Sequence, residues 1–337
     1  MNTMRKLNNL ALFIVTSLML TACSKHQTLP SSLNNYHERV YSVMDLPYES
    51  LSVDVDLQAP TKSELRRSIA DLNINMREFY AIEGCNLKTI IAERNTALGK
   101  TQLPSSRLLY EWQIIEALKA CELNANQALP QYLQLKVTEW RALKESSFGA
   151  NWANMLTQSD ESYLAFTRSG GFIDGNNDDN FTQAKIDLNT LVYAESDPKK
   201  YLSNLENTLK SAEQHRFFAR HWRSQILITQ YMEKMTEDIS TWNDSFICKS
   251  RKDKKKLEII KNVFTLFFVQ EIQPIASQIN HYQYQLDDLF ATLIKNDQLP
   301  DVFQEWLHKK SSIIFSDYKK ATREHVELWQ ALLSKCK

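Results

Sequence analysis

The chain has 337 residues, 43% apolar and 24% charged, with 40 Lys plus Arg against 40 Asp plus Glu. Its 6 Gly and 8 Pro make about 4% of the chain, where an average protein has roughly 12%, too few turn formers for the many short strands of a β-sandwich or barrel. A formal net charge of zero removes the long-range attraction on which sequence-independent nucleic-acid binding rests, and the length suits one large domain or two ordinary ones.

At the N-terminus, Arg5 and Lys6 precede an uncharged stretch from Leu10 to Leu20, and Leu20-Thr21-Ala22-Cys23 ends in a thiol. As a helix, residues 10–20 cover about 16 Å of a hydrocarbon core roughly 30 Å thick, which suits a signal-peptide h-region and not a permanent span. Leu-Thr-Ala-Cys resembles the bacterial lipobox, in which the thiol is joined to a diacylglycerol and the peptide is cut before it. The resemblance implies that residues 1–22 are removed and that Cys23 carries the lipid; the alternative is an ordinary signal peptide ending near a Cys. At about 0.8 kcal/mol per buried methylene, two or three acyl chains hold a protein to a bilayer almost permanently. Ser24 follows, where an Asp tends to retain enterobacterial lipoproteins at the inner membrane, so the same resemblance implies the periplasmic face of the outer membrane. Loss of Arg5 and Lys6 with the leader leaves 38 basic against 40 acidic residues, a nearly neutral exported chain.

Residues 23–32, which include Pro30, read as the lipid anchor and a short polar tether. Thr61-Lys62-Ser63-Glu64 has the form of a capping box, and Leu65, Ile69, Leu72, Met76 and Phe79 follow at helical steps, predicting one helix up to Gly84. Ile90 and Ile91 lead to Gly99 as a C-terminal cap. Pro104 opens a helix carrying Leu108, Trp112, Ile115 and Leu118, and Gln131 to Glu145 carries Leu133, Val137 and Trp140. Residues 33–145 are therefore expected to form an N-terminal antiparallel bundle. Gly149, Gly170, Gly171 and Gly175 fall within 146–196, which is expected to be an irregular connector.

Asp197-Pro198 marks a helix start, with Leu202, Leu205, Leu209 and Ala212 behind it, and neither Gly nor Pro follows until Pro274. Ile275, Ile279, Tyr282, Leu286, Leu289 and Leu293, and again Ile314, Tyr318, Ala321, His325, Leu328 and Leu332, keep steps of three and four. The run from Ile259 to Val269 is too short to span a bilayer and is expected as a buried central helix. The predicted class is all-α, an antiparallel helical bundle with long coiled-coil-like helices over 197–337. One continuous domain from 33 to 337 stays open.

Beyond Cys23 the chain holds Cys85, Cys121, Cys248 and Cys336, an even number suited to two disulfides in an oxidising compartment. Cys85 with Cys121 and Cys248 with Cys336 is the favoured pairing, since each pair brackets a compact group of helices. Loops of this size would each contribute roughly 4 kcal/mol. Two other pairings, and free buried thiols, are the alternatives.

Gly84-Cys85-Asn86-Leu87, the stretch 92–99 (Ala-Glu-Arg-Asn-Thr-Ala-Leu-Gly) and the stretch 103–111 (Leu-Pro-Ser-Ser-Arg-Leu-Leu-Tyr-Glu), with Gln273-Pro274 and the segment from His325 to Trp329, resemble the proteobacterial lipoproteins catalogued as domain of unknown function 3080. The resemblance covers most of the mature chain. It implies a periplasmic lipoprotein and supplies no activity, cofactor or catalytic residue.

Chemistry has to be sought directly. There is no Gly-x-Ser-x-Gly elbow, no His-Glu-x-x-His and no phosphate-binding Gly-rich loop. Asp174-Gly175-Asn176-Asn177-Asp178 begins like a calcium loop, but Asp179 stands where Gly is needed and Lys185 where a bidentate Glu belongs. His215 and His221, six apart, point about 120° away from each other on one helix and cannot share an ion there. His325 occupies a seam position, where a hydrogen-bonded core histidine is expected. Glu145-Ser146 matches the Glu-Ser dipeptide of lytic transglycosylases, whose Glu acts as general acid, but Glu-Ser also occurs at Glu49, Glu161 and Glu195. Lys249, Arg251, Lys252, Lys254, Lys255 and Lys256 form the one dense basic run, a surface for anionic lipid headgroups or an acidic partner, or simply a solvated loop face. The sequence thus predicts a lipid-anchored helical module without a cofactor or nucleic-acid partner, binding a protein or peptidoglycan of the envelope, with hydrolysis at Glu145 as the competing reading.

Overall fold

The computed structural model describes residues 28–53, 55–123, 129–175 and 179–336. Cys23, the leader and Asn176 to Asp178 lie outside them. Every regular element among the described residues is helical. The α-helices of six residues or more are, in chain order, α1 (Leu29–Met44), α2 (Met76–Ala81), α3 (Leu87–Arg94), α4 (Pro104–Leu123), α5 (Gln131–Gln158), α6 (Asp160–Thr167), α7 (Phe181–Tyr193), α8 (Leu205–His215), α9 (Phe217–Ser245), α10 (Arg251–Val263), α11 (Gln273–Ile294), α12 (Asp301–His308) and α13 (Ile314–Ser334). The π-helical stretch Phe264–Ile272 joins α10 to α11, and Lys309–Ile313 joins α12 to α13, so each pair is a continuous rod.

The principal core forms where α1, α9 and α13 run parallel and the α10–α11 rod runs against them. Tyr41 of α1 donates to Asp238 of α9, and the Tyr36 ring lies 5.7 Å from Phe268 of the rod. Lys256 near the start of the rod meets Asp45, just past the end of α1, at 2.7 Å. Thr236 of α9 meets His325 of α13, and Lys335 reaches the Asn243 carbonyl. The apolar seam predicted from Ile275 is the buried face of α11; on α13 Tyr318, Ala321, His325 and Leu332 are buried as predicted, but Phe315 and Trp329 take the buried places next to Ile314 and Leu328, which are half-buried.

A second, smaller core gathers Ile82 from the end of α2 with Leu87, Ile91, Tyr110, Ile114, Leu118, Leu133, Val137 and Trp140 from α3, α4 and the first half of α5. Phe148, Trp152, Met155 and Leu156, in the second half of α5, belong to the principal core. At 1.5 Å per residue a 28-residue helix is about 42 Å long, enough to serve both.

Four expectations are corrected. The tether does not reach residue 32: Leu29 and Leu33 are fully buried, and Pro30 sits in the first turn of α1, where its fixed φ favours a helix start. The helix expected from Thr61 to Gly84 is one turn at 61–65, an extended segment over 66–75, and the short α2. The Thr61 box does form, with its amide 2.8 Å from the Glu64 carboxylate, but the chain beyond it finds its partners on α5. Asn154 pairs with both the amide and the carbonyl of Arg67, at 2.8 and 2.9 Å, Thr157 donates to Leu65 O, and Gln158 donates to Lys62 O. The stretch 146–196, expected to be irregular, is helical over 146–158, α6 and α7, and residue 145 lies inside α5. Residues 259–269 are not buried all round: Ile260, Val263 and Phe268 are, while Ile259, Leu266 and Val269 are exposed.

Candidate functional site

The cysteines pair as Cys85–Cys121, with Cα atoms 5.3 Å apart, and Cys248–Cys336, at 5.6 Å. The first ties the N-terminus of α3 to α4 in the small core; the second ties the α9–α10 turn to the end of α13. Two disulfides indicate an oxidising, extracytoplasmic compartment. No helix among the described residues is long and apolar enough to cross a membrane.

The basic run opens α10. Ser250 and Asp253 form a capping box, so the helix start is held by a carboxylate and a hydroxyl in spite of the surrounding positive charge. Lys256 is taken up by Asp45, whose carboxyl it lowers below the usual range, and its ammonium lies 5.6 Å from the Trp242 ring centroid. Lys249, Arg251, Lys252, Lys254 and Lys255 are exposed.

Glu145 lines a cavity of about 340 Å³ with Trp112, Glu116, Lys119, Phe148, Asp197 and Lys199. Arg141 pairs with its carboxylate at 2.8 Å, and Lys119 lies 3.7 Å away. Glu145 therefore sits between two cations and not in the apolar pocket that a carboxylic general acid requires.

His215 and His221 lie on different helices, because Arg216, with φ of 45°, ends α8 between them. The Phe217 amide donates to His215 Nδ1 at 3.1 Å, so Nε2 carries the proton toward Asp187, 2.9 Å away. Ser211 also donates to Asp187, at 2.7 Å. Serine, histidine and carboxylate are thus neighbours, but the hydroxyl is bonded to the carboxylate instead of the imidazole and has no base to activate it. His221 meets Gln283 at 3.0 Å and Gln225 at 2.8 Å in the principal core. Among the described residues no group of three His, Cys, Asp or Glu is arranged to hold a metal ion. Asp179, beside Asp174 in the calcium-like loop, has a carboxyl raised to about 6, mainly by burial and then by its hydrogen bond with Asp174.

The most developed site lies where the two cores meet. The extended segment crosses α4 and α5 there and leaves two adjoining cavities, of about 860 and 350 Å³. Ser63, Arg66, Arg67, Gln102, Asn151 and Asn154 line the larger; Tyr110, Ile114, Ile91 and Lys144 line the smaller. Asp71, Arg94 and Arg107 line both and so mark their junction. Below it, fully buried Glu111 is shared by Lys144, at 2.8 Å, and Arg107. The Arg107 and Arg94 guanidiniums lie 5.3 and 5.9 Å from the centroid of the same Tyr110 ring. Burial pushes Arg94 below its ordinary range and the positive charge of Arg107 adds to the effect. The Tyr110 phenol is raised to about 12, chiefly by burial and then by Glu111. Arg94 donates to Gly99 O, but its Nε is buried with no partner. The cleft therefore carries five cations, Arg66, Arg67, Arg94, Arg107 and Lys144, against Asp71 and Glu111.

None of these cleft residues stood out as a site in the sequence. The signal was nonetheless present: the stretches 92–99 and 103–111, which carry the family resemblance, supply Arg94, Arg107, Tyr110 and Glu111.

No curated protein and no solved structure matches the chain. The profile of a family described as "Protein of unknown function (DUF3080)" matches residues 33–337, and the chain belongs to that family.

Proposed function

We propose that this protein is a lipid-anchored, non-catalytic binding module of the bacterial envelope, held at the periplasmic face of the outer membrane through Cys23, which takes an envelope protein or peptidoglycan into the cleft between the extended segment and helices α4 and α5. The observation that carries this reading is the cleft itself: a large, polar concavity with unbalanced positive charge, built where two cores join. A lipid on Cys23 would join the chain ahead of Leu29, the first residue of α1, and so leave the cleft free for a partner.

Two measurements test it. Intact-mass determination of the native protein should find a chain that begins at a diacylated Cys23, and Cys23→Ala should leave the membrane fraction. A photo-crosslinking residue at Ser68, on the cleft wall, should capture a recurring envelope component in cells, and one at exposed Lys320 of α13 should not. The same profile from both positions refutes the cleft as the binding site.

Hydrolysis at Glu145 is the second reading, drawn from its place in the 340 Å³ cavity beside Trp112. It requires purified protein to clear a gel of embedded cell wall and Glu145→Gln to stop the clearing. The ion pairs with Arg141 and Lys119 favour the binding reading.

A further inference from the structure

We infer that Arg94 and Arg107 form a subsite for the terminal carboxylate of a peptide, and that the peptide lies along the extended segment 68–73. The inference rests on the cleft being the binding site and adds the chemical class of its ligand.

Charge comes first. Glu111 is shared between Lys144 and Arg107, so one carboxylate faces two cations before Arg94 is counted. Arg94 approaches the same Tyr110 ring, makes no ion pair among the described residues, and keeps a buried Nε without a partner. Two guanidiniums converging on one partly desolvated spot repel each other, and an oxyanion between them removes that repulsion with charge-assisted hydrogen bonds. Asp71 at the junction and Glu111 beneath it oppose a second negative charge, which favours a carboxylate over a phosphate dianion.

The shape of the wall supplies the rest. Asn154, Thr157 and Gln158 satisfy the main chain of 62–67, but between Ser68 and Asn73 the extended backbone makes no hydrogen bond to another described residue. That stretch borders both cavities. An unpaired extended edge accepts a peptide as an added strand, and this edge passes the arginine pair. Asn151, Gln102 and Ser63 place further donors and acceptors in the larger cavity.

The test is calorimetry on the full mature chain in detergent, with N-acetyl-trialanine as the free acid and as its C-terminal amide. The acid should bind and the amide should bind at least about tenfold more weakly, the loss expected when charge-assisted bonds to an arginine pair are removed. Arg94→Gln should weaken the acid by a similar factor and the amide by clearly less, since a neutral carbonyl loses only an ordinary hydrogen bond. Acid and amide bound alike by the wild type overturns the inference even if Arg94→Gln fails to fold. Inorganic phosphate displacing the peptide at lower concentration than acetate overturns it in favour of a phosphate site. Cell-wall stem peptides and protein C-termini carry the same group, so a muropeptide with a free carboxylate is run beside the tripeptide: much tighter binding assigns the cell wall, equal binding a protein terminus. A retained Ser68 adduct with acid and amide bound alike would sink this inference alone; identical adducts from Ser68 and Lys320 with acid-selective binding would sink the wider reading alone.

Discussion

Trp329 donates its indole N–H to Nε2 of His325 across 3.0 Å, inside the principal core. An indole can only donate, so Nε2 holds a lone pair, accepts from Tyr36 at 2.8 Å as well, and leaves the proton on Nδ1 for Thr236 at 2.9 Å. The ring is neutral and every nitrogen is used. This is the hydrogen-bonded core histidine that the seam position predicted.

That arrangement makes stability depend on pH. Burial lowers His325 to about 3 and His221 to about 4; His37, at the α1–α9 contact, is also lowered to about 4 by burial. Below the unfolded value of about 6.5 the unfolded chain binds protons that the folded chain refuses, so stability present above that pH is lost as it falls toward 4. Each fully buried ring should contribute about 2 kcal/mol of loss between pH 7 and pH 5. Asp179, raised to about 6, acts in the opposite direction over the same window but is a single group. Urea unfolding at the two pH values should show the loss, and His325→Gln should flatten the dependence.

Glu111→Gln should be among the most damaging single changes. It leaves Lys144, almost fully buried, without its counter-charge, and a broken buried pair costs about 3–5 kcal/mol. Glu111→Gln with Lys144→Met should recover much of that, because the cost lies in the stranded cation. Denaturant midpoints of the three variants measure it.

Gly149 faces Gln298 and Glu195 across the junction of α5 with the α11–α12 turn. A Cβ there would stand 2.5 Å from Gln298 Cγ and 2.6 Å from the Glu195 carboxylate, which holds Asn296 at 2.8 Å. Gly149→Ala should cost about 1–3 kcal/mol through overpacking. In a Gln298→Ala background the cost should shrink but not vanish, because the Glu195 carboxylate still stands 2.6 Å from the added Cβ. A double-mutant cycle on thermal midpoints measures how much of the cost belongs to Gln298.

The disulfides close loops of different size, with separations of 36 and 88 residues. Chain entropy alone makes Cys248–Cys336 worth about 0.8 kcal/mol more than Cys85–Cys121. Replacing each pair by serine and comparing midpoints tests the order. Hydrogen exchange should show the Cys85–Cys121 loss confined to α3 and the end of α4, since that bond lies in the small core.

Helical class, the seams of α11 and α13 and the cysteine partners were legible because each depends on local spacing or on bracketing by neighbouring helices. The segment 61–84 was misread because its apolar residues fit a helical step and a capping box stood in front. Leu72, Ile74 and Met76 also alternate with Asn73 and Asn75, and Asn75-x-x-Glu78 is a second box, the one that opens α2. Side chains of α5, about 90 residues on, decide between the two patterns, and no window of sequence contains them. The cleft was hidden for the same reason: Arg94, Arg107, Lys144 and Asp71 are scattered along the chain and converge only after the extended segment has crossed α4 and α5.

The wide turns at Phe264–Ile272 set the rotational phase of the rod. Gln273 N–H reaches back five residues to Phe268 O, and Pro274, which has no amide proton to give, starts the regular winding again. The half before this stretch faces α1, and the half after it faces α7 and α12. Removing one residue from the stretch would turn everything downstream by about 100°, swinging Ile279, Leu286 and Phe290 off their packing partners. The tolerance of this molecule to length change is therefore expected to be lowest not in its core side chains but in the count of residues between Val263 and Gln273.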